Sequence, residues 1–301
     1  MKVAIIGLGK MGMQMVAKLI ADNHQVLVLD RDESKIEEAK SLGALPAASR
    51  EEIVKGFGDD QIAIWLMIPA GAVDDELDSW QSLLPSGSII IDGGNSEFTD
   101  TKARHDKLQE KGIELVDVGT SGGILGSANG FSMMIGGSKE VFDKLTSVFE
   151  TFAKPSAAFA YFGPSGSGHF IKMVHNAIEY GYMESLAEGY ELLAQGPYKD
   201  IDLKEVSNIW QHRSIIESTL NGLVGDIFKE NPSLEGISGE VEESGEARWT
   251  LDLAKSLDIK TPAIQSAFDV RIASQKGEIS FATKLLAALR NKFGGHAINN
   301  Q

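Results

Sequence analysis

The sequence contains no cysteine. That absence removes disulfide scaffolds, thiolate zinc sites and cysteine nucleophiles together, and it fits a reducing compartment. Aromatic residues make up only 7% of the 301 positions, and the longest apolar run, residues 62–73, is well short of a membrane span. The opening stretch MKVAIIGLGKMG breaks at glycine after too short an apolar core for a secretory leader, so a cytoplasmic address is expected. Basic residues are the scarce sign of charge: 28 Lys and Arg stand against 43 Asp and Glu, a net charge of −15, with no basic stripe. A polyanion is repelled by such a chain, which argues against nucleic acid as a partner, and no membrane partner is expected. His169, His175 and His296 lack a metal-ligand spacing supported by carboxylates, so no metal site is expected. What is present, 43% apolar and 24% charged residues, describes a globular chain long enough for one large domain or two ordinary ones.

From residue 2 to about 161, short aliphatic runs alternate with amphipathic segments, the pattern of parallel strands joined by crossover helices. The strand candidates are residues 3–6, 25–29, 62–68, 88–92, 114–118, 131–135 and 158–162. Glycine-rich turns follow three of them, at GLGKMG, DGGNS and TSGG. Loops at the carboxyl ends of parallel strands are where such a sheet binds ligands, so these turns are expected to meet around one crevice. Past residue 164 the strand signals nearly stop. A proline-free helical pattern over 167–194 opens a second half with further helical pattern at 203–211, 214–229, 240–256, 262–275 and 279–290, the acidic 240–246 reading as a solvated helix start. The expected fold is an α/β Rossmann-type dinucleotide-binding domain over 1–164 followed by an all-α domain over 165–301 for substrate and oligomerisation.

The first turn reads Gly7-x-Gly9-x-x-Gly12 between a strand and a helix, the context that gives this motif weight. Gly7 permits the tight turn, Gly9 lets the backbone approach a pyrophosphate, and Gly12 lets helix pack on strand; Leu8 and Met11 lie in the same loop. Asp30 ends the next strand, where a carboxylate accepts from adenosine ribose hydroxyls and repels a 2′-phosphate. Arg31 partly offsets that charge, so the cofactor expected is NAD, with NADP the second option. Met67 is a packing residue of the core or of the cofactor face.

In GHFIKMVHNAIEYG, residues Lys172, His175, Asn176 and Glu179 are spaced i, i+3, i+4 and i+7 and share one helix face, with apolar residues on the others. A buried polar stripe needs partners or a ligand. Lys172 and Glu179 stand about 10 Å apart along the axis, too far for an easy direct pair and well suited to two ends of a reacting fragment. Asn95 and Ser96 in DGGNS either hold a substrate hydroxyl or cap the following helix. Ser121, Gly122 and Gly123 offer a hydroxyl and backbone amides to a carboxylate, or form a plain surface turn.

Taken in order, GLGKMG, DGGNS, TSGG, GHFIKMVHNAIEYG and RNKFGGH resemble the stretches of the 6-phosphogluconate dehydrogenases, decarboxylating enzymes of the pentose phosphate route within the β-hydroxyacid dehydrogenases, in their short form. The resemblance implies that Lys172 is the general base at carbon 3 and Glu179 the acid that protonates the enediol. It gives Asn95, Ser121, Gly122, Gly123, His175 and Asn176 to the hydroxyls and carboxylate, with Asn95 also near the cofactor. Tyr180, Arg248, Arg271, Arg290 and His296 go to the phosphate, the last two reaching in from a neighbouring subunit of a homodimer or homotetramer. Two positions depart from the family pattern: Arg248 replaces its usual lysine, and Asp30 stands where NADP-using relatives carry a neutral residue. A 3-hydroxyisobutyrate dehydrogenase, which needs no phosphate clamp, and a non-catalytic NAD sensor are the alternatives.

Overall fold

Five residues, KVAII, with one β-branched or aliphatic side chain after another, form β1 (Lys2–Ile6), and the glycine turn behind them runs directly into α1 (Lys10–Ala21). The computed structural model describes residues 1–295. The chain continues through β2 (Gln25–Leu29), α2 (Glu33–Ser41), β3 (Leu45–Pro46), α3 (Arg50–Phe57), β4 (Ala63–Leu66), α4 (Val73–Gln81), β5 (Ile89–Asp92), α5 (Phe98–Gln109) and β6 (Glu114–Ser121). A short turn and α6 (Gly126–Asn129) lead to β7 (Ser132–Gly136), α7 (Lys139–Ala153) and β8 (Phe159–Gly163). The strands make one sheet in the order β3-β2-β1-β4-β5-β6-β7-β8. Its central strands are buried on both faces, which is why they read as unbroken apolar runs. One face packs Trp65 edge-on against Phe152 at 4.8 Å; the other buries Phe57, Trp80 and Leu108.

The all-parallel expectation fails at one seam. β6 and β7 pair antiparallel, Val118 opposite Ile135 and Ser121 opposite Ser132. The connection between them, residues 122–131, is shorter than the dozen or so residues a parallel crossover needs, so the chain turns back on itself.

Helix α8 (Ser167–Gln195) is 29 residues long, about 43 Å. Its amino end is fixed from the sheet: the buried Asp117 on β6 accepts hydrogen bonds from Gly166 N at 2.7 Å and His169 N at 2.9 Å, supplying acceptors that a capping side chain normally provides. The chain divides into two compact units inside this helix, Met1–Met173 and the residues from Val174 onward. The second unit holds α9 (Leu203–Trp210), α10 (Thr219–Glu230), α11 (Glu246–Ser256), α12 (Pro262–Ser274) and α13 (Phe281–Gly294). Buried Tyr190 donates to Asn221 Oδ1 at 2.9 Å, and Ser280 and Thr283 form a reciprocal cap at the start of α13.

Two sequence expectations change in this unit. The acidic segment before Glu246 is not a helix start: α11 begins only at Glu246, behind Gly245 at φ +102°, Val241 is buried, and Glu246 itself is buried rather than solvated. The helix expected from 214 starts at Thr219, where Ser218 accepts from Asn221 N as its cap. On α8, Ile178 is 60% and Leu192 75% exposed. No helix among the described residues is long and apolar enough to cross a membrane.

Candidate active site

Within the first unit the glycine loop closes against both neighbouring strands. Gly7 N donates to Leu29 O at 3.0 Å, and a β-carbon on Gly7 would sit 2.5 Å from the Met67 carbonyl oxygen. Gly7 also has φ +94°, a region that side-chain-bearing residues avoid. A β-carbon on Gly12 would strike the carbonyl of Gly7, so only glycine lets α1 approach the loop this closely. Gly9 differs: a β-carbon there would meet nothing within 4 Å, which leaves a face of bare backbone at the N-terminus of α1 for a pyrophosphate.

Asp30, half-buried at the end of β2, accepts from Leu8 N through Oδ2 and from Asp32 N through Oδ1 at 2.9 Å. The carboxylate is thereby tied to the glycine loop and oriented by backbone on both oxygens. Loop and carboxylate fit a dinucleotide. Arg31 beside it is exposed. Met11 and Met67 are half-buried against the core, and Trp65 Nε1 donates to Met67 Sδ at 3.1 Å.

The DGGNS turn is organised by its first residue. Asp92, 1% exposed, accepts from Gly94 N at 3.1 Å and from Ser96 Oγ at 2.7 Å, while the Arg104 guanidinium lies 4.0 Å from Oδ2. Ser96 is therefore spent on Asp92, and α5 takes Glu97 as its cap position with no side-chain capping bond. Ser96 therefore does not take the capping role. Asn95 stands exposed at the tip of the turn.

Ser121 ends β6, and Gly122 and Gly123 open the turn that follows, which packs near α1: Gln14 Nε2 donates to Ile124 O at 3.4 Å. Lys172 is buried, 7% exposed, and its β-carbon lies against Gly119, two residues before Ser121. One turn earlier on α8, the buried His169 places Nδ1 2.8 Å from Thr101 Oγ1. The lysine thus lies over β6, the strand that leads into the serine-glycine turn.

In the second unit, the half-buried His175, Asn176 and Glu179 continue the same helix face. His175 Nδ1 lies 2.9 Å from Asn176 Oδ1 and 3.9 Å from Glu179 Oε2; Asn176 Nδ2 donates to Glu246 Oε1 at 2.9 Å. Arg271, 1% exposed, lies with its guanidinium carbon 3.2 Å from the centroid of the Tyr180 ring and donates to Glu242 O at 3.4 Å. Burial lowers its pKa to about 10, with the Arg290 charge pushing the same way and Tyr180, Glu179 and Glu184 opposing. Arg290 is itself buried in its own unit, where its charge acts on Arg271. Its helix, α13, packs against α10 and α12.

Arg248 stands apart from that pair. Its Nη2 donates to Glu243 Oε1 at 2.6 Å and its guanidinium rests 5.0 Å over Phe268, so its charge is already matched. His296 lies outside the described residues.

Sequence reasoning missed Asp92 and Asp117 as organisers, and Glu243 and Glu246 as partners of Arg248 and Asn176. A signal existed for Asp117, a charge inside the apolar run ELVDVGTS. None existed for Glu246, whose pairing with Asn176 spans seventy residues.

A glycine cradle at a helix N-terminus, with a carboxylate at the end of the second strand and a buried lysine by the same sheet, defines a dinucleotide-dependent oxidoreductase. Residues 2–163 match the model of the NAD binding domain of 6-phosphogluconate dehydrogenase, and residues 168–293 match that of the 6-phosphogluconate dehydrogenase C-terminal domain. The chain belongs to the 6-phosphogluconate dehydrogenase family. It is 38% identical over 297 residues to YqeC of Bacillus subtilis, covering 99% of both chains. It is 37% identical over 300 residues to the NAD(+)-dependent, decarboxylating 6-phosphogluconate dehydrogenase of Haloferax volcanii, covering 99% of this chain and 98% of the relative. Among solved structures, Plasmodium falciparum 6-phosphogluconate dehydrogenase superposes with a TM-score of 0.82 at 28% identity over 99% of this chain and 66% of its own length. The 3-hydroxyisobutyrate dehydrogenase of Salmonella typhimurium shares the fold, with a TM-score of 0.74 at 19% identity over 95% of this chain and 99% of that one.

Proposed function

We propose that this protein oxidises 6-phosphogluconate and decarboxylates the product to ribulose 5-phosphate, with NAD preferred over NADP. The carrying observation is Lys172 with Glu179: a buried lysine and a half-buried carboxylate seven residues apart on one helix, the β-carbon of the lysine lying against the strand that ends in Ser121. Bound NAD supplies the acceptor for the hydride that leaves carbon 3. Lys172, as neutral amine, takes the proton of the carbon-3 hydroxyl. When the carbon 1–carbon 2 bond breaks and carbon dioxide leaves, the electron pair moves into the enediol and Lys172 returns its proton to the oxygen on carbon 3. Glu179 then protonates the former carbon 2 while the enediol proton goes back to Lys172.

Asn95, Ser121, Gly122, Gly123, His175 and Asn176 hold hydroxyls and carboxylate in this reading. Tyr180, Arg271 and Arg290 hold the phosphate, because buried arginine hydrogen bonds bind a dianion well despite the net −15 of the chain. Arg248 is a secondary contributor, since Glu243 must release it first. The NAD preference rests on Asp30, and the Haloferax volcanii relative named as NAD(+)-dependent supports it. A homodimer is part of the reading: Ile178, Leu192, Ile209 and Ile215 expose large apolar surfaces in the second unit that a second copy would cover.

The deciding experiment incubates the purified protein with carbon-1-labelled 6-phosphogluconate and either dinucleotide, following nicotinamide reduction and labelled carbon dioxide together. Both signals, faster with NAD, are expected. Reduction without labelled gas returns the protein to the non-decarboxylating hydroxyacid dehydrogenases, and no reduction with either dinucleotide defeats the enzyme reading.

A further inference from the structure

Glu246 opens α11 and is 2% exposed, and its Oε1 accepts from Asn176 Nδ2 at 2.9 Å. The proton-transfer pair described above makes no use of it. A carboxylate offers only acceptors, so Asn176 must turn its NH2 group toward Glu246; the flipped amide would set oxygen against oxygen. That choice points Asn176 Oδ1 at His175, whose Nδ1 lies 2.9 Å away. An amide oxygen also only accepts, so Nδ1 must carry the hydrogen. In the neutral ring the other nitrogen, Nε2, is then the acceptor. The Glu179 carboxylate, 3.9 Å from Nδ1, is too distant for a hydrogen bond yet favours a hydrogen on the same nitrogen.

We propose that Glu246 is a positioning residue that fixes the tautomer of His175 through Asn176 and so makes His175 Nε2 an acceptor for a substrate hydroxyl. The hydroxyl rests on the dehydrogenase reading above; the tautomer does not. An accepting Nε2 selects a donor. A hydroxyl satisfies it, whereas a carboxylate or carbonyl oxygen at that place sets lone pair against lone pair, which discriminates against substrates oxidised at this carbon.

The test uses the full chain labelled with 15N-histidine and a spectrum correlating ring nitrogens with ring protons, the His175 signals being assigned by their loss in His175→Gln. The wild type should show hydrogen on Nδ1 and none on Nε2. In Glu246→Ala, and in the isosteric Glu246→Gln, whose amide meets Asn176 equally well with oxygen or NH2, the Nε2–H tautomer should appear. The Gln variant preserves volume, and its circular dichroism melt verifies the fold. With 6-phosphogluconate, Glu246→Gln should lose roughly tenfold in kcat/KM, mostly through KM, about the worth of one hydrogen bond, with the NAD dissociation constant unchanged. Hydrogen on Nε2 in the wild type, or one tautomer unchanged in both variants, overturns the proposal. A shifted tautomer in protein that ignores 6-phosphogluconate upholds the relay and removes the substrate reading instead.

Discussion

Gly119 on β6 and Lys172 on α8 touch so closely that a β-carbon on the glycine would overlap the β-carbon of the lysine and stand 2.8 Å from the carbonyl oxygen of Gly168. The position of the proposed base is thus set by the absence of a side chain on the strand beneath it. Gly119→Ala should lift the first turns of α8, costing about 1–3 kcal/mol of stability as an overpacked contact. Urea titration measures that loss. The turnover number should fall at least about tenfold, because a small displacement of a proton-transfer group is expensive. Unchanged turnover would separate the seat of Lys172 from its chemistry.

Lys172→Met keeps the length of the side chain and removes the amine. Turnover of 6-phosphogluconate should drop between about a hundredfold and ten-thousandfold, the range of a lost general base. NADH binding, followed by fluorescence, should stay within about twofold, since the glycine cradle is untouched. Activity within tenfold of wild type would remove Lys172 from the base role.

Asp30→Asn keeps a side chain that can face the Leu8 amide and removes the negative charge. The ratio of kcat/KM for NAD over NADP should move toward NADP by about tenfold. An unmoved ratio would take the carboxylate out of cofactor choice.

Arg290→Ala removes one of the two buried arginines proposed for the phosphate. With 6-phosphogluconate, KM should rise about tenfold to a hundredfold, the worth of a charged hydrogen bond. With unphosphorylated gluconate it should not change. Equal effects on both compounds would point to a disturbed fold rather than to a phosphate contact.

Glu184 gives the chain a pH dependence. Burial raises its carboxyl from 4.5 to about 7, with Glu188 and Glu191 pushing the same way and Arg271 opposing. The folded chain therefore holds a proton that the unfolded chain has released. Its contribution is complete below about pH 4.5 and is lost as pH rises toward about 7, a change of about 3 kcal/mol at most. Glu184→Gln should flatten that slope and raise the melting temperature at pH 8. An unaltered slope would assign the pH response to other groups.

Much of the first unit was legible because its strands are short and buried on both faces, and because Gly7, Gly9, Gly12 and Asp30 occupy a recognisable turn. The long helix was legible too, its expected span of 167–194 falling one residue short of Ser167–Gln195, since no proline interrupts the pattern. β3 was not: it is two exposed residues, Leu45 and Pro46, that pair with Leu27 and Val28 without any apolar run of their own. The antiparallel turn at β7 depends on loop length rather than on residue type. The late start of α11 depends on Gly245 and on Glu243, whose partners Arg248 N–H groups and Gly245 N follow in sequence yet leave no periodic trace. In the candidate site, residue identities suggested the chemistry to be tested, while the neighbouring groups Asp92, Asp117 and Glu246 emerge as partners only once distant segments are brought together.

Arg271 folds into place on the face of Tyr180 with a carbonyl oxygen and a thioether as its hydrogen-bond acceptors, and no carboxylate hydrogen-bonds to it among the described residues. Water has therefore been stripped from this cation during folding, long before any anion arrives. In the phosphate-binding role proposed for Arg271, an incoming dianion need shed only its own hydration shell, so affinity is stored in the native state as latent instability. A variant that relieved it, with a neutral side chain of equal volume, would gain robustness at the expense of grip.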